Sequence, residues 1–298
     1  MEGLTVFTPT YNRVYCLHNL YESLKEQTNK DFVWLIIDDG STDGTFNMVK
    51  GFKEEGIINI QYYIQENSGK HAAHNRAVEL CETELFVCVD SDDRLTKDAV
   101  AIIYKRYDEN NNRKILGLYL RKATLDMTNI ALPYPDGLHE VGICDLYHKW
   151  KYSGDTVIVL VSSMIKEYSF PVYPEERFVS EVVFYNQLND LAPMVLCEDK
   201  IYLCEYMPDG YTQNTDKLMI KNPMGTATMC LSEAYYGSDI IYKAKNYSQY
   251  LALIQLFSLD SRRIRICPKP KLYIRIMGWI LKEHYIRFFG RMKAKYEY

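Results

Sequence analysis

The chain has 298 residues, 47% hydrophobic and 25% charged, with a formal net charge of −4. That is length for one large domain or two small ones, with the balance of a globular protein with a sizeable core. It gives no general argument for nucleic-acid binding, and no uninterrupted apolar stretch is long enough to span a bilayer. The charge is uneven: residues 262–298 carry eleven Lys/Arg and two Asp/Glu, or +9, and the preceding part carries −13. Such a tail points to an anionic surface as its partner. The eight cysteines (16, 81, 88, 144, 197, 204, 230, 267) form no CxxC pair. They suggest a reducing, cytosolic setting and argue against a zinc site. Met1-Glu2-Gly3 leads straight into an apolar run rather than a signal peptide.

In chain order, Leu4–Thr8 reads as a first strand ended by Pro9. Val14, Leu17, Leu20, Tyr21 and Leu24 then recur at helical spacing. Phe32–Ile37 is a second buried strand, and it ends in Asp38-Asp39-Gly40-Ser41-Thr42-Asp43-Gly44, whose Ser, Thr and Asp suit the cap of a helix through Phe46, Val49 and Phe52. Ile57–Ile64 is a third strand. Gly69-Lys70 opens a helix with Lys70, His74 and Arg76 near its positive end, suited to a diphosphate. His71 and His74 lack a partner at metal spacing and read as surface or phosphate-side groups. Leu85–Val89 is a fourth strand, buried on both faces. The β-α-β-α-β-α-β order predicts a parallel, doubly wound sheet, with Thr8, Asp38 and Asp90 on one rim.

The fourth strand runs into Asp90-Ser91-Asp92-Asp93. Three carboxylates in four positions repel, and require a cation or raised pKa values; Asp oxygens suit Mg²⁺ or Mn²⁺ completed by substrate phosphates. The plainer reading is a solvated acidic turn capping the next helix. That helix is expected over 96–108, strands over 115–120 and 156–161, a short helix over 180–188 capped by Ser180, two short strands over 194–205, and helical periodicity from Thr226 onward.

Four motifs together, Phe7-Thr8-Pro9-Thr10-Tyr11-Asn12-Arg13, Asp38-Asp39-Gly40-Ser41-Thr42-Asp43, Gly69-Lys70 with Asn75, and Asp90-Ser91-Asp92-Asp93, resemble the family 2 glycosyltransferases in order and separation. The resemblance covers residues 3–108 firmly and continues loosely through 178–181 and 206–211. It implies an α/β GT-A fold, a nucleotide-diphosphate sugar donor, a divalent metal (Mn or Mg), and inversion at the anomeric carbon. By the same resemblance Thr8 and Tyr11 line the nucleoside pocket, Asp39 bonds the base edge beside Asp38, and Lys70 and Asn75 lie near ribose and diphosphate. Asp90 and Asp92 match the family's metal-binding pair, Asp92 being the direct ligand; Asp93 contacts ribose or metal, an alternative left open.

An inverting displacement also needs a base for the acceptor hydroxyl. Where the family commonly has Glu-Asp at a helix start, this chain has Glu181-Val182. Glu181 is the candidate base, its plainer role being a first-turn Glu favoured by the helix dipole; Asp155 and Glu176 are next. Tyr147, Trp150 and Tyr152 are candidates for stacking on a sugar. The expected organisation is a donor half over 1–110, an acceptor half over 111–225 and a basic helical extension over 226–298. The expected activity is sugar transfer to a glycan, lipid-linked or protein-linked acceptor in polysaccharide or glycoconjugate assembly. The missing second acid keeps a rival in view, a nucleotide-sugar-binding scaffold subunit with weakened turnover. Within 271–291, Lys271, Arg275 and Lys282 share one helical face beside Leu272, Ile276, Trp279, Ile280 and Ile286, the pattern of an interfacial anchor. The alternatives are packing on the catalytic domain or on a second copy of the chain. The expected location is cytoplasmic, peripheral on the inner face of the plasma membrane.

Overall fold

The computed structural model describes residues 3–204 and 215–296; Glu205 and the loosely matching 206–211 segment lie outside them. The described residues form two compact units. One takes the chain up to Glu167 and from Asp190 to Cys204, the other Tyr168–Asn189 and the chain from Thr215 on.

The first unit begins β1 (Leu4–Thr10), α1 (Val14–Lys25), β2 (Phe32–Asp38), α2 (Thr45–Glu55), β3 (Asn59–Ile64), α3 (Lys70–Leu80), β4 (Leu85–Cys88). β1 lies between β2 and β4, parallel to both, and β3 lies outside β2. The chain therefore builds outward from β1 to β3, then returns to the other side of β1. At such a reversal of strand order the loops at the carboxyl ends diverge and leave a ligand crevice. Under the sheet, Tyr21 stacks on Phe52 with ring centroids 3.8 Å apart and on Trp34 at 6.0 Å. These rings fix α1 and α2 against β2.

β1 runs through Pro9, where the sequence suggested an end. Alternate strand residues face alternate neighbours: Thr10 O accepts from Asp39 N toward β2, and Phe7 O from Val89 N toward β4. Pro9 falls on the β4 side, where β4 has ended, so its missing N–H costs no ladder bond.

The unit continues with β5 (Arg94–Leu95), α4 (Ala99–Asp108), β6 (Gly117–Thr124), β7 (Glu140–Val141), α5 (Asp145–His148), β8 (Thr156–Val161), α6 (Ser162–Ile165) and, after the excursion into the second unit, β9 (Met194–Cys204). The sheet order is β3-β2-β1-β4-β8-β6-β9-β5, with β7 on β9. β8 is antiparallel to β4 and β6, while β6 and β9 are parallel. The carboxyl ends of β4, β6 and β9 and the amino end of β8 consequently share one rim. The two short strands expected over 194–205 are one strand of 11 residues; its register against β6 shifts around Arg121, which absorbs the irregularity within a single strand.

The second unit is helical: α7 (Val182–Leu188), α8 (Thr215–Lys221), α9 (Pro223–Tyr236), α10 (Ile240–Leu256) and α11 (Leu272–Tyr296). Ser180 does not cap α7 with its side chain. Glu181 takes the N-cap position, and Ser180 contributes only its carbonyl, to Val183 N. Glu176 is committed elsewhere: its buried carboxylate accepts from Met224 N (2.6 Å) and Gly225 N (2.8 Å), closing the start of α9. α11 packs along α10 through Ile274, Gly278 and Phe289. A Cβ at Gly278 would lie 2.8 Å from the Tyr247 ring and 3.1 Å from Ala244 O, so only glycine permits this approach. The opposite side of α11 exposes Leu272, Tyr273, Ile276, Trp279 and Ile280.

Candidate functional site

The rim of the first unit is built by loops that brace one another. Asp38 and Asp39, at the end of β2, are buried. Asp38 accepts from Ser41 N (2.7 Å) and from the Tyr62 hydroxyl. Asp39 accepts from Gln65 Nε2 (2.8 Å), Ser68 N (2.9 Å) and Gly69 N (2.7 Å). Gly69 has φ +90°, which turns its N–H toward Asp39 and launches α3. The β1–α1 loop is tied down likewise: Asn12 N donates to Ser41 Oγ (2.8 Å) and Thr42 N to Asn12 Oδ1 (2.8 Å). Gly44, not Asp43, takes the N-cap position of α2; Asp43 stands before it and accepts from Thr45 N (3.1 Å), from the Thr45 hydroxyl (2.6 Å) and from Val14 N (2.9 Å) at the start of α1.

The acidic turn follows β4. The Lys70 ammonium, in the first turn of α3, lies 2.7 Å from Asp90 Oδ1. Burial alone would raise the Asp90 carboxyl; Lys70, Lys122 and Arg13 outweigh it and hold the group below the usual carboxylate range. Asp92 is raised, by burial and by the Asp90 charge, and its nearest cation is Arg13 at 3.9 Å. Asp93 is buried and accepts from the Tyr202 hydroxyl (2.7 Å). Burial and Asp90 push it from 3.8 up to about 6. The same Tyr202 oxygen accepts from Asp90 N (3.0 Å), so a single phenol from β9 holds both ends of the turn. Lys122, in register with Tyr202, places its Nζ 4.5 Å from the Tyr202 ring centroid.

The turn is therefore not a simple solvated cap. Among the described residues no three His, Cys, Asp or Glu side chains converge into a metal cage. The residues do fit a cation held partly by substrate. Asp90 is matched by Lys70 and Asp93 by Tyr202, whereas among the described residues Asp92 has the long contact to Arg13 alone. One weakly paired carboxylate completed by phosphate oxygens is a common Mg²⁺ arrangement.

Residues 5–123 match the family described as Glycosyl transferase family 2. Over this stretch the chain is similar to that family. An uncharacterized glycosyltransferase of Rickettsia felis is 36% identical over 108 residues, covering 36% of this chain and 18% of that protein. The poly(ribitol-phosphate) beta-N-acetylglucosaminyltransferase TarP of Staphylococcus aureus is 33% identical over 144 residues, 44% of this chain and 43% of TarP. The chain thus spans less than half the length of these two relatives. The crystal structure of S. aureus TarS 1-349 in complex with UDP-GlcNAc superposes with a TM-score of 0.63 at 15% identity, covering 99% of this chain and 91% of that one. The fold is the expected GT-A type with a helical C-terminal region.

Within the matched stretch, the structure brings Asp90, Asp92, Asp93 and Lys70 together, with Asn75 further along α3. Tyr11 stands exposed after β1. Thr8 is fully buried and accepts from Trp34 Nε1 (2.9 Å), beneath the rim rather than on it. Asp38 and Asp39 direct their oxygens into the loops that shape the rim. His71 and His74, read as surface or phosphate-side groups, are buried, and His74 meets the edges of Phe7 and Phe86. α3 packs on β1 and β2, with His74 reaching Phe86 of β4, so the face carrying His71 and His74 is its packing face. Tyr147 and Tyr152 spend their hydroxyls on Thr156 and on Leu132 O, whereas Trp150 is exposed. Glu181 belongs to the second unit and is exposed at the N-cap of α7. Sequence reasoning missed Tyr202 and Lys122. The only signal for them was that both lie near the carboxyl ends of apolar runs.

Proposed function

We propose that the chain transfers a sugar, with inversion, from a nucleotide-diphosphate donor to a glycan, lipid-linked or protein-linked acceptor in polysaccharide or glycoconjugate assembly. The observation that carries the reading is the braced acidic turn at the reversal of strand order, facing Lys70 at the start of α3. In this reading Asp92 holds Mn²⁺ or Mg²⁺ together with the donor phosphates, and Asp90 shares the cation's field while keeping Lys70 in place. Asp93 serves ribose or metal. A bound cation would draw the charge that builds on the leaving diphosphate. Tyr11 flanks the nucleoside, Lys70 and Asn75 the ribose and diphosphate, and Thr8, Asp38 and Asp39 shape the pocket from behind. Residues 1–110 serve chiefly the donor, 111–225 the acceptor, and 226–298 form the extension.

Glu181 is the proposed base. Its exposed carboxylate suits proton abstraction better than Glu176, which is locked onto α9. TarP's name and the UDP-GlcNAc in the TarS complex make a UDP-sugar and a bacterial surface polymer the first pair to test. For residues 271–291 the proposal is a peripheral membrane contact through the outward apolar side of α11; no helix among the described residues is long and apolar enough to cross a membrane. The scaffold alternative rests on Val182 standing where a second acid is common.

The deciding experiment is UDP release from UDP-sugars with Mn²⁺, with excess chelator, and in Asp92→Asn. Metal-dependent release lost in the variant supports the reading. No release by the wild type, despite nucleotide binding, favours the scaffold role. Full activity in chelator removes the metal from the scheme.

A further inference from the structure

Lys122 and Tyr202 belong to none of the four motifs, yet the tertiary fold carries them to the acidic turn. β6 and β9 run parallel with Lys122 opposite Tyr202, and both residues lie near the carboxyl ends of their strands. On the other side of β6, Arg121 pairs with Thr156, so Lys122 comes level with Asp155 at the amino end of β8. The ammonium thus sits on the shared rim, partly buried, 4.5 Å from the centroid of the Tyr202 ring. Among the described residues it forms no ion pair, in contrast to Lys70 on Asp90. Burial works against its charge, and Cys204, Asp90, Asp93 and Asp155 outweigh it. A cation seated on an aromatic face, near carboxylates but bonded to none, is a held positive charge with its donors available.

We infer that Lys122, seated on Tyr202, is a donor-binding residue that hydrogen-bonds the terminal phosphate of a nucleoside diphosphate. This rests on the glycosyltransfer reading and adds to it a second fixed cation opposite Lys70. In the transfer, the bond from the anomeric carbon to the phosphate oxygen breaks, and its electron pair stays on that oxygen. The acceptor oxygen forms the new bond, and its proton goes to the base. Lys122 remains protonated throughout and stabilises the diphosphate that leaves. Tyr202 positions it: the ring supports the ammonium while the hydroxyl holds Asp90 N and Asp93.

The test is calorimetric titration of the full chain with UDP and with UMP, in Mn²⁺, for the wild type, Lys122→Gln and Lys122→Arg. The wild type should prefer UDP. Lys122→Gln should reduce that preference about tenfold or more, as for a lost charge-assisted hydrogen bond, while leaving UMP affinity unchanged. Lys122→Arg should retain most of it. Lys122→Met, which keeps the buried stem, replaces Lys122→Gln should circular dichroism show the latter unfolded. An unchanged UDP to UMP ratio in a folded neutral variant overturns the inference while leaving glycosyltransfer standing. A wild type that binds neither nucleotide overturns both.

Discussion

The Lys70 ammonium lies 2.7 Å from Asp90 Oδ1, joining the first turn of α3 to the acidic turn after β4. The loops after β3 and β4, strands separated in the sheet by β2 and β1, are thereby tied at the point where the donor is proposed to bind. The pair keeps Asp90 ionised against burial and Asp90 keeps Lys70 aimed into the crevice. Lys70→Met is expected to lower kcat/KM for the donor by about 10- to 100-fold, the range of one hydrogen bond to a charged group. The effect should fall mainly on donor KM. A variant with wild-type donor kinetics would leave Lys70 as surface bracing only.

Asp93 offers a test that needs no substrate. Its carboxyl is raised to about 6 in the folded chain against an ordinary 3.8. The fold therefore prefers the protonated form. The contribution to stability is fully present below 3.8 and is lost as pH rises through 6. Asp93→Asn, permanently neutral, should be more stable than the wild type at pH 7.5, by at most about 3 kcal/mol, with the difference vanishing near pH 4. Urea unfolding at the two pH values reads this directly. Equal stability at pH 7.5 would mean that the Tyr202 hydroxyl and nearby cations fully compensate the buried charge.

For Glu181 the expected signature is kinetic. Glu181→Gln should lower kcat by about 10²- to 10⁴-fold, the usual range for a general base, with nucleotide affinity and thermal stability unchanged. An unaltered kcat hands the role to another carboxylate. Asp155 is then next, because Glu176 is held by Met224 N and Gly225 N, and Glu176→Gln should register as lost stability.

The two sides of α11 should separate in mutation. Gly278→Leu drives a side chain into Tyr247 and the α10 backbone and should destabilise the second unit by about 1–3 kcal/mol. Trp279→Glu with Ile280→Glu, on the exposed side, should leave stability within about 0.5 kcal/mol yet abolish flotation with anionic liposomes. Equal flotation of the double variant, or none by the wild type at low salt, removes the membrane contact. Loss of a dimer on gel filtration would assign this face to a second copy of the chain.

Part of this protein could be read directly from its residues. Apolar runs of strand length, Pro and Gly punctuation and helical spacing located β1 to β4 and α1 to α4, because each signal is local and the connections are short. The acids after β2 and β4 were legible as a rim for the same reason: in a doubly wound sheet, successive strand ends fall on one side. The tertiary structure alone decided what each acid does there. Asp38 and Asp39 are spent on loop geometry and Thr8 on Trp34, and His71 and His74 are buried, since burial depends on which helix face meets the sheet and not on residue type. Beyond residue 110 the strand order is non-local. No periodicity in the chain announces that β8 reverses direction while β6 and β9 run together, and that reversal is what brings Lys122, Asp155 and Tyr202 to the acidic turn. Gly278 illustrates the same limit in the helical unit. In the chain it is a weak helix residue; in the fold it is where α11 approaches α10 too closely for a side chain.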